Sequence, residues 1–372
     1  MATDTSIPTS QDVSNDENSS PSSQSPNVPR TGFSNSPNAR SKSITTADLE
    51  TYGILNRHAA KNMWFQVGVS EDKGARRTME DAHSFVTDFG NVRGQGFFAI
   101  FDGHAGKHAA EWCGTHFHQC FLDSLRSSPE MNVPDVLNKT FHQVDASLSQ
   151  MCEESEGKIH SGCTAVTAFL RIEDADGRQS FLERSEPHGG SISGAISPKK
   201  SRSPVISRKP SRELKPVCVP PETSRRVLYC ANAGDARGVL CRAGKAVRLT
   251  YDHKGSDKQE AKRITDAGGF VMGGRVNGVL AVTRSLGDSS MKEFVVGAPY
   301  TTETELCDED EFLILACDGL WDVIGDQAAV NQIKTMNDAQ TASNHLLRYA
   351  LNNHTTDNVT VVVVRFKNQP QP

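Results

Sequence analysis

Long hydrophobic runs are missing from this sequence. The most apolar stretch, Val359 to Val364, is interrupted by Thr360 and falls far short of the roughly 20 residues that a membrane-spanning helix needs. Paired cysteines are missing as well: there are nine, an odd number, with no C-x-x-C pair among them. That excludes a secreted disulfide framework and fits reduced thiols in a cytoplasmic or nuclear protein. Excess positive charge is absent, since the formal net charge is -5, so nothing in the composition calls for nucleic acid as a partner. The first residues lack the charged-then-apolar order of a signal peptide, and residue 2 is Ala, which excludes N-myristoylation. No coiled-coil repeat argues for assembly, so a monomer with no membrane partner is expected.

Two segments lack the apolar residues a core requires. Ser, Thr, Asn and Pro make up 24 of the first 40 residues, and Phe33 is the only aromatic there. Such a chain cannot offset the entropy of ordering, and residues 1–45 read as a disordered tail. The second segment, at about 183–223, is basic and rich in Ser and Pro. It reads as a long solvated loop inserted at a strand connection, which costs little because closure entropy grows slowly with length. A sharper reading makes it a docking or regulatory segment, with Lys199, Lys200 and Arg202 as a nuclear import patch. The rest, over 60–367, reads as one domain.

Two helices stand out within that domain. Apolar residues recur with a 3.6-residue period from Lys107 to Leu125 and again from Pro134 to Met151. A shorter helix is expected from Asp257, a capping residue, to Ala267, with Gly268 ending it. Strands are expected at Gly96 to Phe101, Ala165 to Ile172, Val227 to Ala233, Phe312 to Cys317 and Val359 to Phe366. The stretch from Arg225 to Leu249 reads as strand, short turn, strand, short turn, strand. Turns that short suit antiparallel pairing and leave no room for a helical crossover. Packed antiparallel sheets covered by amphipathic helices follow.

Acids recur where these strands end. The apolar run Phe97 to Phe101 passes directly into Asp102-Gly103, and Phe312 to Cys317 into Asp318-Gly319. Val227 to Ala233 passes into Gly234-Asp235, and Asp357 stands just before Val359. A single Asp-Gly is ordinary turn chemistry. Several carboxylates leaving buried strands are costly unless paired or bound to metal, and no matching set of Lys or Arg is visible beside them. Oxygen donors without a Cys or His cluster select magnesium or manganese over zinc or iron. Glu80-Asp81 adds two carboxylates, Arg76 suits a tetrahedral phosphate, and His104 lies on the same turn as Asp102. The simplest assembly is a pair of ions bridged by Asp102 that ready a water for in-line attack on phosphorus, with His104 protonating the leaving oxygen.

The motifs RRTMEDAH, FDGHAG, SGCTA, ANAGDARG, DHKGSD, RVNGVLAVTRSLGD, ACDGLWDV and TDNVTVVV occur in that order. Together they resemble the metal-dependent type 2C protein serine/threonine phosphatases, over roughly Trp64 to Phe366 apart from the insert. The layout is similar to the small fungal members linked to stress-activated MAP kinases. The resemblance implies an α+β fold, a central sandwich of two antiparallel sheets with helices on both sides. It implies two Mg2+ or Mn2+ ions and a weaker third. By position, Asp102 would bridge both ions, the Gly103 carbonyl would bind one, and Asp318 and Asp357 the other. Glu80 and Asp81 would hold ion-bound waters. Arg76 would bind phosphate and His104 act as general acid. Asp235 and Asp322, with Asp318, would form the third site, and the segment from Asp252 to Gly278 a flap touching substrate. Phosphorylated proteins, MAP kinases foremost, are the implied partners, and negative regulation of a stress pathway the implied role. Cys163 departs from the family, standing in SGCTA where Ser is usual, as a tolerated small residue or a redox-sensitive thiol.

Other readings fare worse. Asp88-Phe89-Gly90 spells a kinase motif, but no Gly-rich nucleotide loop precedes it and no His-Arg-Asp loop follows. GHAGKH lacks the Ser or Thr of a phosphate-binding loop. Asp308 to Glu311 is expected as a solvated turn rather than a calcium loop. A thiol-based tyrosine phosphatase is set aside because no Cys-x5-Arg loop is expected. A catalytically inactive family member acting as a phosphoprotein-binding module would have lost a metal-binding Asp, and all are present.

Overall fold

The computed structural model describes residues 64–156, 158–182 and 217–367. The expected tail at 1–45 and the expected insert up to residue 216 lie outside them. Three strands open the domain, β1 Phe65–Asp72, β2 Ala82–Thr87 and β3 Gly96–His104, followed by helices α1 His108–Ser127 and α2 Val133–Glu154. Next come β4 Gly162–Glu173, β5 Arg225–Ala233, β6 Arg237–Arg242 and β7 Lys245–Arg248. Helix α3 Lys258–Asp266 precedes the short strands β8 Val271–Met272, β9 Arg275–Val276 and β10 Leu286–Gly287. The chain ends with β11 Tyr300–Glu305, β12 Asp310–Ala316, α4 Asp318–Trp321, α5 Asp326–Ile333, α6 Ala339–Asn352 and β13 Val359–Phe366.

Two antiparallel sheets result, one in the order β1-β13-β12-β6-β7 and the other β11-β5-β4-β3-β2, with β10 added beside β4. The alternation of side chains along each strand explains why the strands read as unbroken apolar runs. On β3, Phe98 and Ile100 enter the layer between the sheets with Val166, Leu315 and Val362. Phe97, Ala99 and Phe101 face the other way and pack with Phe117 and Phe121 of α1 and Phe141 of α2. On the outer face of the β1-β13-β12-β6-β7 sheet, Ile314, Val361 and Val363 pack with Leu346 and Leu347 of α6. Four layers, helix, sheet, sheet and helix, are therefore filled from both faces of each strand, and the sandwich expected from the sequence is the one observed.

The three expected helices form, and the capping residue expected for the third is observed. Asp257 accepts from the backbone N–H groups of Gln259 and Glu260, each at 2.9 Å, at the start of α3. Phe89 of the kinase-like tripeptide is a core residue, stacked on Phe97 and Phe121. Of the expected insert, Cys218 is tied to the body by backbone bonds with Asn91 and Arg93, 2.8 Å each.

Two readings are corrected. The run from Arg225 to Leu249 is not one three-stranded meander: β5 and β6 lie in different sheets, and only β6 and β7 form a hairpin. Gly234, at φ +104 with Thr164 against its Cα, turns the chain from one sheet to the other. The acidic run at Asp308 is also not wholly solvated. Asp310 is buried and takes both Nε and Nη2 of Arg242, at 2.8 and 2.9 Å.

Gly234→Ala tests the crossing between sheets. Its Cβ would lie 2.5 Å from Cβ of Thr164, in left-handed backbone that costs roughly 1–3 kcal/mol for a residue with a side chain. A melting temperature lower by several degrees is expected by calorimetry; an unchanged melt would contradict this reading of the turn.

Candidate metal centre

Asp102 continues the inter-sheet side of β3, two residues beyond Ile100, at the end of the layer where the sandwich opens. Asp318 starts α4 directly after β12, and Asp235 follows the glycine turn after β5. Ligand oxygens of Asp102, Asp235 and Asp318 all lie within 4.8 Å of one another. The chain closes on this point through backbone contacts that leave no room for side chains. A Cβ on Gly103 would fall 2.3 Å from the Glu80 carbonyl oxygen, and one on Gly319 1.9 Å from that of Asn358.

The carboxylates feel one another strongly. Loss of water, then the charges of Asp81, Asp318, Asp235 and Asp357, hold the Asp102 carboxyl well above the usual range. Asp318 is pushed up to about 8, by burial first and then by Asp235, Asp357, Asp322 and Asp81. Burial also raises Asp81 to about 6, against the hydrogen bond it accepts from Thr360 Oγ1 at 2.7 Å. The second Asp81 oxygen, Oδ1, is buried with no hydrogen-bond partner. Clustered acids that repel each other, with an orphaned carboxylate oxygen among them, are the arrangement a divalent cation stabilises. The one thiol beside them, Cys317, is held well above its ordinary pKa by burial and by these acids. It is a neutral group rather than a thiolate ligand, so the donor set is oxygen and suits a hard ion.

The structure places the remaining expected residues as follows. Arg76 Nη2 donates to Asp357 Oδ2 at 2.6 Å and its Nε to the Thr356 carbonyl at 3.2 Å. Glu80 accepts from Gly106 N–H at 3.2 Å and from Thr78 Oγ1 at 3.1 Å. His104 Nε2 lies 2.7 Å from Asp288 Oδ2. Lys254 Nζ lies 3.1 Å from Asp235 Oδ2 and 3.6 Å from Asp322 Oδ1. The expectation that no cation side chain stands beside the strand-end acids is thus overturned twice, by Arg76 and Lys254. Both pairs join residues far apart in the chain, which no local pattern reveals.

Sequence reasoning passed over three residues that shape the site. Buried Asn358 donates from Nδ2 to the carbonyls of Lys73 and Thr78, at 2.9 and 3.0 Å, and accepts from Glu80 N–H at 2.7 Å. It thereby pins the Arg76 loop to the start of β13. Asp288 and Lys254 were passed over likewise, although all three lie inside the motifs TDNVTVVV, RVNGVLAVTRSLGD and DHKGSD. Cys163 is buried with its Sγ 3.9 Å from Cys113 Sγ; that contact and burial raise its thiol well above the ordinary range. The Cys-x5-Arg spacing does occur, at Cys120 and Arg126, correcting the reading above. Both lie inside α1, where a continuous helix cannot form a phosphate cradle, and burial raises the Cys120 thiol.

These shifts fix the pH dependence of the cation-free protein. Folded Asp81 and Asp318 keep protons that the unfolded chain sheds near pH 3.8, so the folded state binds more protons between that pH and about 8. The contribution of these two carboxyls to stability is full below that window and is lost as pH rises through it, whereas His118 and His253, held at about 4 by burial, act in the opposite sense up to about pH 6.5. The melting temperature of chelator-treated protein is expected to fall by at least about 3 °C between about pH 6.5 and 8, and saturating magnesium or manganese to abolish the fall. A flat profile without cation would contradict the clustering.

Residues 65–175 and 217–359 match the protein phosphatase 2C family. The chain is 44% identical over 304 residues to protein phosphatase 2C homolog 1 of Saccharomyces cerevisiae, covering 81% of this chain and 93% of that one. It is 39% identical over 323 residues to protein phosphatase 2C homolog 1 of Schizosaccharomyces pombe, covering 86% and 78%. Its fold is similar to that of a serine-threonine phosphatase 2C from Toxoplasma gondii, with TM-score 0.59 at 19% identity over 82% of this chain and 95% of that one. The family is metal-dependent in general, and its substrates are phosphoproteins. With a family match across both halves of the sandwich and its acids gathered at one end, this chain belongs to the protein phosphatase 2C family of protein serine/threonine phosphatases.

Proposed function

We propose that this protein hydrolyses phosphoserine and phosphothreonine in proteins by attack of a water on phosphorus, with two divalent cations, Mg2+ or Mn2+, at the acidic end of the sandwich. Asp102 and the Gly103 carbonyl, with Asp318 and Asp357, would hold the ions; Asp81 and Glu80 would hold their waters. The observation that carries this reading is the meeting of Asp102, Asp235 and Asp318, from three separate strand ends, with their oxygens within 4.8 Å. When bound, the ions would supply Lewis acidity and lower the pKa of a water.

The chain's own groups do the rest. Arg76 is held by Asp357 and the Thr356 carbonyl through Nη2 and Nε. Its Nη1 is left to face the phosphoryl oxygens. His104 supplies the proton for the departing serine or threonine oxygen, a role worth about 10²–10⁴-fold in such reactions. A third ion on Asp235, Asp318 and Asp322 would have to displace the Lys254 ammonium. The substrate class we infer, phosphorylated MAP kinases of a stress pathway that this enzyme would switch off, is supported by the resemblance in layout to small fungal members.

Hydrolysis of a phosphothreonine peptide tests the reading. Asp102→Asn is expected to lower turnover by at least about 100-fold with its melt preserved, and chelator to abolish wild-type turnover until manganese is restored. Wild-type activity in the variant, or activity indifferent to chelator, would refute it.

A further inference from the structure

His104 does not stand alone on its turn. In the sheet register it lies opposite Gly162 of β4, and Gly162 lies opposite Gly287 of β10. Asp288 follows Gly287 and folds back across this row. Its backbone is left-handed, at φ 50, a conformation that favours glycine and that other residues keep where surrounding contacts impose it. The contacts here are specific. The Ser285 hydroxyl donates to Asp288 Oδ2, and His104 Nε2 lies 2.7 Å from the same oxygen. The carboxylate rests directly on Gly162, where an added Cβ would fall 2.2 Å from Oδ2. The side chain is 9% exposed, and among the described residues its ion partner is His104. The turn is fixed from the helix layer as well. Asp145 of α2 accepts from Gly287 N–H at 2.9 Å and pairs with Lys292 Nζ at 2.7 Å, while Lys292 also donates to the Ser285 carbonyl at 3.2 Å.

We propose that Asp288 is the positioning residue for His104: it takes Nε2 and so leaves Nδ1 as the ring nitrogen that faces the substrate. This deepens the proposed function and rests on His104 as its general acid. In the step concerned, a water oxygen bonds to phosphorus as the bond from phosphorus to the serine or threonine oxygen breaks. The electron pair leaves with that oxygen, which takes the proton from Nδ1, while Nε2–H stays on Asp288. The glycine at 162 then has a reason beyond backbone freedom, since any side chain there would displace the carboxylate from the imidazole.

The test compares two phosphate esters, a phosphothreonine peptide, whose leaving alkoxide needs a proton, and p-nitrophenyl phosphate, whose leaving group does not. His104→Ala is expected to lose about 10²-fold on the peptide and only a few-fold on the aryl ester. Asp288→Asn is expected to show the same bias at about 10-fold, and the double variant to lose no more than His104→Ala alone. Asn tolerates left-handed backbone; should the variant still fail to fold, Ser285→Ala should give the bias at smaller size. Equal losses on both esters in Asp288→Asn, or in Ser285→Ala as its replacement, or additive losses in the double variant, would overturn the proposal while leaving the acid assignment standing. If His104→Ala itself treats the two esters alike, the acid assignment and the proposal fall together.

Discussion

Repulsion among carboxylates enclosed at one end of the sandwich is the constraint on which the rest of this structure turns. Asp81, Asp235, Asp318 and Asp357 each raise the proton affinity of Asp102, and Asp81, Asp235 and Asp357 raise that of Asp318 as well. Left alone, such a group would be stable only with protons on it. The fold brings them together regardless, because each lies within two residues of the end of a strand whose side chains are largely buried. Packing energy from three apolar clusters offsets the cost, and the acids are carried to the rim by strands that have no other place to go.

Cationic side chains answer part of that repulsion. Arg76 and Lys254 neutralise the periphery, at Asp357 and at Asp235 with Asp322. The centre, Asp102 and Asp318, has no such partner among the described ion pairs, and Asp81 keeps an unpaired buried oxygen. Charge compensation by side chains is thus graded, present at the edge and missing in the middle among the described ion pairs, where the proposed divalent ion would sit. Asn358 adds a neutral brace, binding the Arg76 loop to β13 through three hydrogen bonds without adding charge.

Much of this was legible in the sequence, for physical reasons. Strands buried on both faces appear as unbroken apolar runs, and the acid ending each run marks the rim directly. Helices α1 and α2 appear because large apolar residues repeat along one face. Helix α6 was missed because its core positions are largely small, Ala339, Ala342, Ser343 and Ala350 beside Leu346 and Leu347, and give a weak pattern. Strand β11 was missed because its sequence, YTTETE, is mostly polar; it is held by backbone pairing with β5. The β5–β6 turn misled because a short connection suits a hairpin and a sheet crossing equally, and the choice is made by Thr164 against Gly234. Within the site, single residues at strand ends could be read, but pairs could not. Arg76 with Asp357, Lys254 with Asp322 and His104 with Asp288 are contacts between distant segments, set by the folded topology.

The most direct measurement is calorimetric titration of manganese into chelator-treated protein, in two buffers of different ionisation enthalpy near pH 6. Because Asp102 and Asp318 hold protons in the cation-free fold, binding should expel protons, seen as a heat that differs between the buffers. Asp102→Asn should weaken both the binding and the release. Manganese binding with no proton release, or release that persists unchanged in Asp102→Asn, would contradict an ion seated among these acids.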